Sequence, residues 1–168
     1  MYPKQNEIRF ERLLRYRPTA VAVMEGSRSY PGIKGTVKFY QTVYGVLVVT
    51  ELEGMPLGRG MCEAPIFAFH IHDGNACTGN EADPFADAGV HWNPYQCPHP
   101  YHAGDLPPLF GASGMVFSAT LTDRFTVEEI LGKTVIVHSS LDDLTTQPAG
   151  NAGSKIACGE IVAVNRGY

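Results

Sequence analysis

Long apolar runs are missing from this 168-residue chain. None approaches the roughly eighteen consecutive apolar residues that a membrane-spanning helix needs, so no membrane association is expected. Blocks of like charge are missing too. With 13 basic and 17 acidic residues the net charge is −4, and no basic stripe offers nucleic acid an electrostatic footprint. No CxxC pair occurs, which argues against a thiolate zinc site or a thioredoxin-type motif. No internal repeat is visible. Nor does the N-terminus read as a secretion signal, because Arg9, Arg12, Arg15 and Arg17 interrupt any hydrophobic stretch and no small-residue cleavage site follows. As written, the chain is expected in the cytoplasm unless a leader has been removed.

Turn-forming residues are plentiful instead. The 18 glycines and 12 prolines point to many turns rather than long helices, and the length suits one domain. Residues 1–18 stand apart as an N-terminal extension, a tail or a short helix with Ile8, Phe10, Leu13 and Leu14 on one face and Pro18 at its end. From residue 19 to 168, short β-branched segments alternate with turns. Strands are expected at Ala20–Met24, Gly35–Gln41, Val43–Leu52, Ile66–His72, Met115–Leu121, Thr134–His138 and Ile156–Val164. Such a pattern predicts an antiparallel sandwich or barrel. Thr126 to Gly132 reads as a single capped helical turn with a terminal glycine.

Two stretches lack strand character: Asp73 to Pro108, rich in Pro, Gly, Asn and His, and Ser139 to Gly153. Loops of that length inside a compact domain usually serve a function, and a bound metal can order what apolar burial does not. The four cysteines, Cys62, Cys77, Cys97 and Cys158, are compatible with two disulfides in three pairings, with metal ligation, or with free thiols. A disulfide in the cytoplasm would need a special reason.

The histidines carry the chemistry. In Phe67-Ala68-Phe69-His70-Ile71-His72 the period of two puts both imidazoles on one face, with Phe67, Phe69 and Ile71 facing the core. Imidazoles about 7 Å apart along a strand face can chelate one ion, although His-x-His alone is a short pattern that arises by accident. Its context is His91-x7-His99-x2-His102-x2-Asp105, three imidazoles and a carboxylate that make a closed tetrahedral zinc set. A polar loop with scattered titratable groups is the plainer alternative, weakened by three histidines falling so close together. His138 ends a β-branched strand. By itself it would be an ordinary strand-end residue; with His70, His72 and His91 it completes four imidazole donors, a set suited to Cu(II). His91 then serves both metals and must be an imidazolate.

These motifs resemble the copper/zinc superoxide dismutases. The resemblance rests on Phe69-His70-Ile71-His72, Gly89-Val90-His91-Trp92-Asn93-Pro94, Gly104-Asp105-Leu106, Val137-His138, Asp142-Asp143-Leu144 and Gly150 through Gly159. It spans about residues 19–164, in the family's order. It implies an all-β fold, an eight-stranded Greek-key barrel of the immunoglobulin-like sandwich kind with two long metal-organised loops. It further implies copper on His70, His72, His91 and His138, and zinc on His91, His99, His102 and Asp105. Asp142 would link a copper histidine to a zinc histidine, while Cys77 and Cys158 would form a disulfide. The implied reaction is dismutation of superoxide to oxygen and hydrogen peroxide, with His91 supplying a proton.

The chain departs from the family's pattern in places. Lys155 stands where the family carries the active-site arginine, keeping the charge but losing the planar fork. The loop before it is short and lacks the usual steering charges, so capture of superoxide is expected to be slower and less salt-sensitive. Ala68 replaces a usual glycine. The loop from Cys77 to His91 is longer, and its added Glu81, Asp83 and Asp87 are expected to form a solvated surface. Cys62 and Cys97 have no counterparts and are expected to be free thiols, a second bridge between them being the alternative. The rival function is a copper- and zinc-binding protein that buffers or delivers metal without catalysis. A homodimer and a copper donor are partners the resemblance leaves open.

Overall fold

The computed structural model describes residues 14–60, 62 and 65–165. The apolar face expected over Ile8, Phe10 and Leu13 lies outside the described residues. Eight strands form one closed antiparallel barrel: β1 (Ala20–Gly26), β2 (Lys34–Thr42), β3 (Gly45–Glu53), β4 (Ile66–His72), β5 (Asp105–Ala112), β6 (Met115–Thr122), β7 (Thr134–His138) and β8 (Lys155–Ala163). Around the barrel they run β1-β2-β3-β6-β5-β4-β7-β8, and β8 closes on β1. The connections from β3 to β4 and from β6 to β7 join strands that are not neighbours, and these are the Greek-key crossovers. A short helix, α1 (Val127–Ile130), matches the expected capped turn, since both the Thr126 N–H and its hydroxyl donate to Glu129 Oε2. No helix among the described residues is long and apolar enough to cross a membrane.

Strand alternation sorts side chains as the sequence predicts. Phe67, Phe69 and Ile71 of β4 and Val135 and Val137 of β7 enter the main core with Val37, Phe39, Leu52, Leu109 and Ile156. The intervening residues face outward, and there lie His70, His72, Ile136 and His138. They are nonetheless buried, because the two long loops fold back over that face. Phe85 and Ala88 of the first loop pack on Ile136 and Cys158 in a second, smaller cluster. The Cys77–Cys158 disulfide fastens the same loop to β8, with a Cα–Cα separation of 5.7 Å. Cys62 and Cys97 are free.

Several strand ends shift by one or two residues from expectation, and one strand is additional. Val43 and Tyr44 form the turn of the β2–β3 hairpin, so β3 begins at Gly45. More consequentially, β5 was not foreseen: its first half, Asp105 to Pro108, lies in the stretch read as loop, and Leu109 to Ala112 follow directly. Its Pro107 and Pro108 argue against a strand, because proline gives no N–H to the ladder. They fall in the β-bulge between the Phe67–Leu109 and Phe69–Leu106 pairs, where the ladder is interrupted. The N–H of Ala68, opposite the bulge, donates to Ser140 O of the second loop instead.

Candidate metal centre

Strand register assembles the donors. His70 pairs across the ladder with Asp105 on β5 and with Ile136 on β7, and His72 forms an isolated bridge with His91. Two sets result: His70, His72, His91 and His138, and His91, His99, His102 and Asp105. Within each, one potential ligand atom per residue lies within 4.8 Å of the others. All seven residues are buried.

Hydrogen bonds on the far side of each ring fix which nitrogen faces inward. His70 Nε2 donates to Asp142 Oδ2 at 2.7 Å and His99 Nε2 donates to Asp142 Oδ1 at 2.9 Å. Each ring therefore keeps a lone pair on Nδ1, and both Nδ1 atoms are buried without a hydrogen bond. His72 Nδ1 donates to the Gly89 carbonyl (2.9 Å) and His138 Nδ1 to the Gly153 carbonyl (3.3 Å). Their Nε2 atoms then meet at 3.2 Å, lone pair to lone pair. His99 Nδ1 also lies 3.0 Å from Asp105 Oδ2 without hydrogen-bond geometry, and with the ring proton on Nε2 the two atoms meet as acceptors. Acceptors crowded this way in a low-dielectric interior repel one another unless a cation sits among them.

His91 faces both sets. Its Nδ1 donates to Asp105 Oδ1 at 2.9 Å, and its Nε2 is buried without a partner. His102 completes the second set, with its Nδ1 3.2 Å from Asp105 Oδ1 and its backbone N–H donating to Asp105 Oδ2.

A family model described as copper/zinc superoxide dismutase matches residues 33–161, most of the barrel and both long loops. The chain belongs to the copper/zinc superoxide dismutase family. It is similar to the copper–zinc superoxide dismutase of Photobacterium leiognathi, 31% identical over 141 residues, covering 76% of this chain and 78% of the relative. A second copper–zinc superoxide dismutase, from Aquifex aeolicus, is 32% identical over 142 residues with the same coverage. Among solved structures, the copper/zinc superoxide dismutase of Brucella abortus superposes with a TM-score of 0.70 at 26% identity. That match covers 84% of this chain and 98% of the other.

Copper and zinc, the metals of the superoxide dismutase family, fit these donors. Four imidazoles suit copper, and three imidazoles with a carboxylate suit zinc. The partnerless Nδ1 atoms of His70 and His99 and Nε2 of His91 are the independent sign that cations belong here.

Further residues that brace the centre were not legible in the sequence. Arg124 Nη1 lies 3.1 to 3.2 Å from the carbonyls of Pro100, His102 and Asp105, stapling the loop that carries the second donor set. Gln147 accepts from the His99 N–H and donates to the His99 carbonyl, joining the two loops. Gly150, in the left-handed region at φ +64°, packs so closely on Asp142 and His99 that a Cβ would collide with both. The added acidic residues also correct an expectation. Asp83 is not simply a solvated surface charge but is ion-paired with Lys155 at 2.7 Å, and Asp87 accepts from the Thr78 hydroxyl.

Burial favours the unprotonated form of three histidines of the first donor set, His70, His72 and His138. It lowers the His70 pKa against the opposing Asp142 hydrogen bond, lowers that of His72 well below 6.5, and brings that of His138 to about 3. The unfolded chain therefore binds more protons than the metal-free folded protein as pH falls from 6.5 toward 3, and stability declines through that window. Burial pushes the Asp105 and Asp142 carboxyls up, but their histidine partners outweigh it and hold both below 3.8, so they act in the same direction at the acid end. Urea midpoints of the metal-free protein should fall steadily across this range. A flat profile would show that burial does not hold these rings neutral.

Proposed function

We propose that the chain dismutes superoxide to oxygen and hydrogen peroxide, with copper held by His70, His72, His91 and His138, zinc held by His91, His99, His102 and Asp105, and His91 shared between them. The observation that carries the reading is the pair of donor sets meeting at His91, with Nδ1 on the Asp105 side and Nε2 partnerless toward the other histidines. The names of the relatives agree with it.

Bound copper supplies a one-electron acceptor and donor, so that one superoxide is oxidised and the next reduced. The chain supplies the rest. Peroxide needs two protons for every two superoxides consumed, and His91 Nε2 is the ring atom positioned to hold one and release it. Asp142 keeps His70 and His99 in the tautomers that present Nδ1 inward. The Gly89 and Gly153 carbonyls do the same for Nε2 of His72 and His138. Lys155 attracts the anionic substrate beside His138, its cross-strand partner.

Superoxide consumption by copper- and zinc-loaded protein, with metals counted in the same sample, tests the reading. Fast turnover at one copper per chain is expected, with a rate that falls only shallowly as ionic strength rises, because few charges steer the substrate. A steep fall would count against the sparse-steering account. Full metal with negligible turnover would refute dismutation and leave metal buffering or delivery as the function.

A further inference from the structure

Lys155 opens β8 opposite His138, and its side chain is only 14% exposed. An ammonium enclosed to that degree needs acceptors. It finds two, Asp83 Oδ2 at 2.7 Å and the Phe85 carbonyl at 2.9 Å. Both belong to the lengthened part of the first loop, and that part is built to present them. Asn80 Oδ1 accepts from the N–H groups of Ala82 and Asp83. Asp83 Oδ1 accepts from the Phe85 N–H at 3.0 Å, and Phe85 is anchored against Ile136 and Cys158. The two carboxylate oxygens of Asp83 thus have separate tasks: Oδ1 is tied to backbone and Oδ2 is aimed at Lys155.

A lysine stem is flexible and lacks the pre-organised fork of arginine, so holding its charge in one place calls for an external brace. A carboxylate brace does something that a carbonyl does not: it sets a negative charge beside the cation. We propose that Asp83 is a positioning residue for Lys155, and that the Asp83–Lys155 pair, rather than Lys155 alone, sets the affinity of the metal centre for anions. Charge and geometry are here coupled in one side chain, so the chain trades attraction for placement. Burial pushes the Asp83 carboxyl up, but Lys155 and the Phe85 N–H outweigh it and hold it below the usual range, consistent with an ionised brace. This inference rests on the reading of Lys155 and His138 given under Proposed function.

Azide titrated into the copper- and zinc-loaded protein, followed by visible absorption, reads anion affinity without turnover. Asp83→Asn removes the negative charge and keeps a single oxygen acceptor, shared between Nζ and the Phe85 N–H. It should bind azide about three- to tenfold tighter, with a steeper dependence on ionic strength. Asp83→Ala removes the same charge and the brace together, so its azide affinity should fall below that of the Asn variant. Copper and zinc contents should stay at the parent's values in both. Azide affinity within twofold of the parent in Asp83→Asn would overturn the electrostatic half, and equal affinity in the Asn and Ala variants would overturn the positioning half. Loss of metal from Asp83→Asn would overturn both by making Asp83 part of the metal framework. A parent that binds azide yet consumes no superoxide would sink dismutation while leaving this inference intact, whereas an active parent with an indifferent Asp83→Asn would do the reverse.

Discussion

Asp142→Ala is expected to weaken copper and zinc binding together, each by about ten- to a hundredfold. One carboxylate accepts from His70 in the first donor set and from His99 in the second, and also from the Leu144 N–H. Without it, neither ring is compelled to carry its proton on Nε2, and the metal-facing Nδ1 of each can be protonated instead. Two buried ring N–H groups are also left without acceptors, which disfavours the liganding tautomer further. Retention of both metals against a graded chelator series, counted in the same samples, reads the effect. Loss of one metal with full retention of the other would show that Asp142 does not couple the two sites.

The second large effect is expected from opening the Cys77–Cys158 disulfide. The bridge closes a segment of 81 residues, and loop-closure entropy for that span corresponds to about 4 kcal/mol of stability. Replacing both cysteines by serine should lower the urea midpoint of the metal-free protein by a corresponding margin. An unchanged midpoint would mean that the remaining contacts of the loop already restrain it fully. The consequence reaches beyond stability. The bridge, with Phe85 and Ala88 packed on Ile136 and Cys158, seats the loop that supplies Asp83 and the Gly89 carbonyl. A loosened loop therefore disturbs both the brace on Lys155 and the tautomer of His72.

Much of the centre was legible because its signals are periodic or closely spaced. The period-two alternation of β4 puts His70 and His72 outward and Phe67, Phe69 and Ile71 inward whatever else the chain does. His99, His102 and Asp105 sit three residues apart in a loop with few competing polar groups, and the structure brings them together with His91. The capping box at Thr126 and Glu129 is equally local. The joining of distant motifs, including Asp142 and the Cys77–Cys158 pair, came from resemblance rather than from spacing, and the structure brings the named residues together.

What the sequence by itself determined, then, was the candidate donors, the outward face of β4 and the all-β class, because each depends on residues that are neighbours along the chain. The tertiary structure alone decided that prolines lie within β5, that Arg124 staples the loop carrying His99 and His102, and that Lys155 is paired with Asp83, 72 residues away. Those outcomes depend on where two long loops run once they are packed, bulged and cross-linked against the barrel. A loop's path is set by contacts with partners remote in sequence, and no local periodicity records it.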